Sequence, residues 1–115
     1  MNNHERFIVL NETKNFVGFM NEIIVNYPKK SYVLRDKIEK TSYEVLELVY
    51  YTNMITNRLD YQKRILAKIS VLDYYLELSY AKKFISLKKM NQGSRMLENI
   101  RKLMYGWIQS NESTV

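Results

Sequence analysis

The sequence predicts an all-α protein, folded as an antiparallel up-down-up-down four-helix bundle. Apolar residues recur at three- and four-residue spacings along most of the chain, with no run of strand-like alternation. After the only proline, Pro28, no strong breaker occurs until Gly93. At 115 residues and 46% apolar content, the chain fits one domain, residues 1–115, with a single moderate core.

The first helix is expected over about residues 6–26. Phe7, Leu10, Val17, Met20, Ile24 and Tyr27 form its stripe. Pro28 stops it, because proline lacks an amide hydrogen and disfavours helical geometry in the residue before it. The second helix is expected over about 32–56, with Ser31 as N-cap. Leu34, Ile38, Thr41, Val45, Leu48, Thr52 and Ile55 make its inner stripe, and Leu46, Tyr50 and Met54 add a second apolar edge.

The third helix is expected over about 58–84, with Asn57 as its cap and Asp60 where a capping-box acid would stand. Leu59, Gln62, Leu66, Ile69, Leu72, Leu76 and Tyr80 form one stripe. Val71, Tyr74, Tyr75 and Leu78 point away from it, so the second half of this helix is apolar on two sides and calls for two partners. The fourth helix is expected over about 87–109, capped by Ser86, with Leu87, Met90, Leu97, Ile100, Met104 and Trp107 inward. Gly93 costs this helix about 1 kcal/mol relative to alanine and opens the option of a kink. Residues 110–115 read as a loose tail. Helices of about 25 residues span about 37 Å, and short connections between them force antiparallel neighbours.

The residue types argue against catalysis. The chain has one histidine, His4, and no cysteine, so disulfide scaffolds and thiolate metal sites are excluded. Di-iron bundles need inward Glu-x-x-His pairs, which are missing. No arginine precedes His4, so the Arg-x4–6-His motif of helical toxin nucleases is missing too. Gly18, Gly93 and Gly106 are isolated and form no phosphate-gripping loop. The acid pairs Asp36/Glu39 and Glu44/Glu47 stand at i, i+3 with lysines interleaved, the pattern of a solvated face. No catalytic residue, metal ligand or cofactor is assigned. With no apolar run near 18 residues and no signal-peptide pattern at the N-terminus, a soluble cytoplasmic protein without membrane contact is expected.

What the chain does have is surplus positive charge. The net +6 is uneven: −1 over residues 1–28, +1 over 29–57, and +3 over each of 58–85 and 86–115. Antiparallel packing puts the first and third connections at one end of the bundle. Lys29, Lys30, Lys82, Lys83, Lys88 and Lys89 should therefore crowd together, an arrangement that favours a polyanionic partner. Lys63, Arg64 and Lys68 on the third helix are further candidates for phosphate contact. Among ten tyrosines, Tyr74, Tyr75 and Tyr80 stand between leucines, as packing or interface residues do.

Three stretches in order resemble one family. Tyr27-Pro28-Lys29 opens the second helix, Ser79-Tyr80-Ala81-Lys82-Lys83-Phe84-Ile85-Ser86 ends the third, and Gly106-Trp107-Ile108 closes the fourth. Together, over about residues 8–110, they resemble the Avd-type four-helix bundle proteins, accessory variability determinants of diversity-generating retroelements. Glu77, Arg101 and Tyr105 depart from that pattern. The resemblance implies a basic homopentamer that binds the retroelement reverse transcriptase and RNA or cDNA, supporting mutagenic cDNA synthesis. Val71, Tyr74, Tyr75 and Leu78 would then be covered by a sister subunit. The related bundles encoded in ribosomal RNA intervening sequences usually carry Asn-Ile-Ala-Glu-Gly after the second helix, where this chain reads Tyr51-Thr52-Asn53-Met54-Ile55. They supply the alternative, a structural homo-oligomeric scaffold with no direct nucleic-acid role.

Overall fold

The computed structural model describes the backbone of residues 3–113 and the side chains of residues 6–111. Four helices follow one another: α1 (Asn3–Ile24), α2 (Tyr32–Met54), α3 (Leu59–Ala81) and α4 (Leu87–Ser113), with a short 3-10 turn, Lys29–Ser31, leading into α2. Each helix packs on its neighbour in sequence, and α1 also packs on α4, which closes the ring. The result is an up-down-up-down bundle about 50 Å long and 22 by 18 Å across. None of these helices is long and apolar enough to cross a membrane.

The expected elements are all present, with shifted ends. Helix α1 starts earlier, and α4 runs on to Ser113, so residues 110–113 are helical rather than a loose tail; residues 114–115, and the side chain of His4, lie outside the described ones. Helix α2 stops at Met54, because Ile55 turns extended at φ −111°, ψ 162°. Helix α3 ends at Ala81, three residues before its expected limit.

The caps divide. Ser86 accepts a hydrogen bond from the Lys89 amide at 3.1 Å and so caps α4 as expected. Ser31 stands at the start of α2 without a side-chain capping bond. Asn57 is not the cap of α3: Arg58 takes that place, its carbonyl accepting the Gln62 amide at 3.0 Å. Asp60 lies in the first turn, where a carboxylate favours the positive end of the helix dipole.

Each helix contributes to a single core. Phe16 and Met20 from α1, Ile38 and Val49 from α2, Ile65, Ile69 and Leu76 from α3, and Ile100, Met104 and Trp107 from α4 are all buried. On α3, Gln62, Ile69, Leu72 and Leu76 of the expected stripe are buried, while Ile65 and Ser79 are inside in place of the half-buried Leu66 and the exposed Tyr80. Phe7, Leu59, Tyr80 and Leu87, expected inward, are exposed near the helix ends. On the second edge of α2, Tyr50 and Met54 are likewise open to water.

Helix α4 passes unbroken through Gly93, which is buried. A β-carbon there would lie 2.7 Å from Leu76 Cδ1 and 3.1 Å from Phe19 Cε2. Glycine permits the close approach of α4 to α3, and no kink is needed.

The α3–α4 connection is a Schellman turn. The Phe84 amide donates to the Ser79 carbonyl and the Lys83 amide to the Tyr80 carbonyl, each at 2.9 Å. This geometry requires a left-handed residue, and Lys83 adopts it at φ 65°, the one positive φ outside glycine among the described residues. For a side chain bearing a β-carbon that conformation costs about 1–2 kcal/mol, which is why glycine usually holds the position.

Candidate nucleic-acid interface

The two connections at one end of the bundle meet through an aromatic pair. Tyr27, just before the 3-10 turn, packs against Phe84 of the α3–α4 turn with ring centroids 5.3 Å apart. Burial pushes the Tyr27 phenol above its ordinary pKa, and the neighbouring Ser79 hydroxyl partly offsets this. Ser79 commits its own proton to the Tyr75 carbonyl at 2.7 Å, and no well-aligned hydrogen bond reaches the Tyr27 hydroxyl.

At the same end lie Lys29 and Lys30 of the first connection, Lys82 and Lys83 of the third, and Lys88 and Lys89 in the first turn of α4. All six are exposed, and among the described residues none is ion-paired with a carboxylate. Lys89 leans over the Phe19 ring, 5.7 Å from its centroid. The expected clustering of the bends is therefore present at the level of the backbone. Helix direction dictates it, since two antiparallel hairpins must turn at the same end.

Two recesses flank the segment Phe84-Ile85-Ser86. One, of about 500 Å³, is lined by Tyr80, Ala81, Lys83, Phe84, Ile85 and Ser86, with no carboxylate. The other, of about 290 Å³, includes Lys89 but also Glu22.

Lys63, Arg64 and Lys68 belong elsewhere. Lys68 lies fourteen residues before Lys82, the residue that follows α3, about 21 Å along the helix axis. Arg64 pairs with Asp60 at 4.0 Å and lies over the Tyr61 ring, 5.0 Å from its centroid. Lys68 pairs with Glu44 of α2 at 3.6 Å. Between α2 and α3 these residues border an open groove of about 720 Å³, with Glu47, Leu48, Tyr51 and Ala67. Its charges are mixed and largely paired, so it offers a polyanion much less than the lysine end does. Lys63 is exposed and lies outside this groove, so the nine basic residues singled out in the sequence are not brought together at one site.

On the second half of α3, Val71 is 42% exposed and Tyr74 57%, which leaves an apolar strip open to water. Tyr75 is half-buried against the core, and Leu78 is also half-buried. Only Val71 and Tyr74 of the four residues expected at an interface are fully presented.

At the opposite end, Arg58 and Arg6 take roles that their positions in the chain do not announce. Arg58 Nε donates to the Thr52 carbonyl at 3.0 Å, and its guanidinium carbon lies 5.9 Å from the centroid of the Trp107 ring. Arg6 donates to the next carbonyl, that of Asn53, at 3.4 Å. Two cations thereby serve the negative end of α2. Burial, and secondarily the charge of Arg6, lower the pKa of Arg58. Nearby, the buried Gln62 accepts a hydrogen bond from Asn111 at 2.5 Å. Between α3 and α4, Arg101 bridges Asp73 at 3.5 Å and Glu98 at 2.5 Å, while Ser94 donates to Asp73 at 3.0 Å. Among the described residues, no group of three or more histidine, cysteine, aspartate or glutamate side chains is arranged to hold a metal ion. Comparison of the chain with protein-family models, and with curated proteins, gives no match.

Proposed function

We propose that the chain is a non-enzymatic accessory protein of a diversity-generating retroelement reverse transcriptase, binding that enzyme together with RNA or cDNA. The observation that carries this reading is six exposed lysines at one end of the bundle, four in its two connections and two in the first turn of α4. Like charges so placed repel one another, and a phosphate backbone relieves that repulsion while releasing its own counterions. Lysines without base-reading partners position a nucleic acid but do not specify its sequence. The resemblance of the Tyr27-Pro28-Lys29, Ser79–Ser86 and Gly106-Trp107-Ile108 stretches to Avd-type proteins supplies the partner enzyme and the homopentameric setting. Val71 and Tyr74 on α3 are suited to face a sister subunit.

The test is a binding titration with a labelled oligonucleotide from low to moderate salt. With four to six phosphates neutralised, log affinity should fall against log salt with a slope of roughly −3 to −5. A flat salt response removes the electrostatic mechanism. Adding the protein to a retroelement reverse transcriptase and its template RNA should raise cDNA yield, and light scattering should give a multiple of the chain mass.

The second reading, a structural homo-oligomer without nucleic acid, draws on the exposed Val71–Tyr74 strip and on the carboxylates that already occupy Arg64 and Lys68. It is distinguished by an oligomer that forms normally yet binds no oligonucleotide at low salt.

A further inference from the structure

Lys83 holds a backbone conformation that glycine would adopt freely, at the rim of a recess that contains an exposed tyrosine and no carboxylate. A residue kept in a costly conformation invites a reason beyond the fold. Here the conformation places an ammonium-bearing side chain on the lip of a hollow whose walls are Tyr80, Phe84 and Ile85. Tyr80 is 41% exposed, so a flat face is open beside the cationic rim. A recess at the opposite end, lined by Arg6, Phe7, Leu10 and Asn53, also joins a cation to an exposed aromatic ring without a carboxylate, but Arg6 already donates to the Asn53 carbonyl. Three further recesses carry acids. The groove between α2 and α3 is edged by Glu44 and Glu47, the hollow at Lys89 by Glu22, and a third, between α3 and α4, by Asp73, Glu77 and Glu98.

We propose that the recess at the α3–α4 turn binds single-stranded nucleic acid, with an unpaired base against Tyr80 and the adjoining phosphates on Lys82 and Lys83. The inference rests on the polyanion reading above and narrows it. A duplex presents phosphates but keeps its bases stacked, so it could use the lysines and not the tyrosine. An acidic peptide could likewise use the lysines, but a run of carboxylates brings no aromatic face to stack on the ring. An unpaired strand has both, and aromatic stacking tolerates any base. Ser86 lines the same hollow, where its oxygen accepts from the Lys89 amide and its hydroxyl proton remains a donor for a phosphate beside the two lysines.

The position of Lys83 provides a test in which stability and binding move in opposite directions. Lys83→Gly should shift the urea midpoint upward and yet weaken a labelled twelve-nucleotide single strand several-fold. Tyr80→Ala should weaken the single strand by roughly five- to 150-fold, leave a duplex of the same sequence unchanged, and be rescued by Tyr80→Phe. Polyglutamate should compete poorly for the single strand. If Tyr80→Ala leaves single-strand affinity unchanged while lysine replacements weaken single strand, duplex and polyglutamate alike, the site is overturned and the broader polyanion reading survives. If the unsubstituted protein binds no oligonucleotide at low salt, the broader reading falls as well.

Discussion

Gly93 of α4 sits directly against Leu76 of α3, so closely that an added methyl would meet a leucine methyl at 2.7 Å. Leu76 is itself fully buried, with Phe19 closing the other side. The contact sets the spacing of the two helices near the lysine end.

Gly93→Ala should therefore lose stability despite the better helix propensity of alanine. The propensity gain of about 1 kcal/mol is opposed by overpacking of about 1–3 kcal/mol, for an expected net loss near 1 kcal/mol. Combining it with Leu76→Ala should give a double variant less destabilised than the sum of the singles, measured by urea denaturation. Gly93→Val should be worse than Gly93→Ala.

Tyr27→Phe addresses a buried hydroxyl without a well-aligned partner. Its removal at neutral pH should be neutral or stabilising by up to about 1 kcal/mol. The folded-state pKa lies above that of the unfolded chain, so the neutral phenol contributes stability that is fully present below the unfolded value, about 10. That contribution is lost as pH rises past 10 through the raised folded value. Stability of the unsubstituted protein should thus fall more steeply between pH 9.5 and 11 than that of Tyr27→Phe, by paired denaturation curves.

Ser86→Ala and Ser31→Ala make a matched comparison. Ser86 accepts an amide hydrogen bond at the start of α4, and its loss should cost about 1 kcal/mol. Ser31 makes no capping bond, so its replacement should change stability by no more than about 0.5 kcal/mol. Equal effects at the two sites would contradict the assignment of the caps.

Arg58→Ala removes the donor to the Thr52 carbonyl and uncovers one face of Trp107. A loss of about 1–3 kcal/mol is expected. Arg58→Lys should recover only part, because an ammonium cannot reproduce the planar guanidinium over the indole. Tryptophan fluorescence of the folded protein should respond more to Arg58→Ala than to Arg58→Lys.

The helical frame and the meeting of the two lysine-bearing turns were legible in the sequence, because period and connection length determine both. The depth of individual side chains was less so. On α3 a rotation of one residue decides whether Ile65 or Leu66 enters the core, and the apolar stripe is broad enough to allow either. Gly93 announced only its propensity cost, since its neighbours Leu76 and Phe19 come from other helices. The left-handed turn at Lys83 gave no sign, because lysine is not a residue that marks such turns. Arg6 was equally silent: its carbonyl acceptor lies 47 positions away in the chain. Lys68 meets the carboxylate of Glu44 only through the packing of α2 beside α3, and Arg64 meets that of Asp60 one turn back along its own helix.

Helix α1 begins, and helix α4 finishes, at the pole of the rod farthest from the lysines. A fluorophore, affinity tag or partner domain joined at either terminus would thus leave from the far side, with roughly the length of a helix between the join and the cationic cap. Immobilisation through such a tether would present that cap outward to solution.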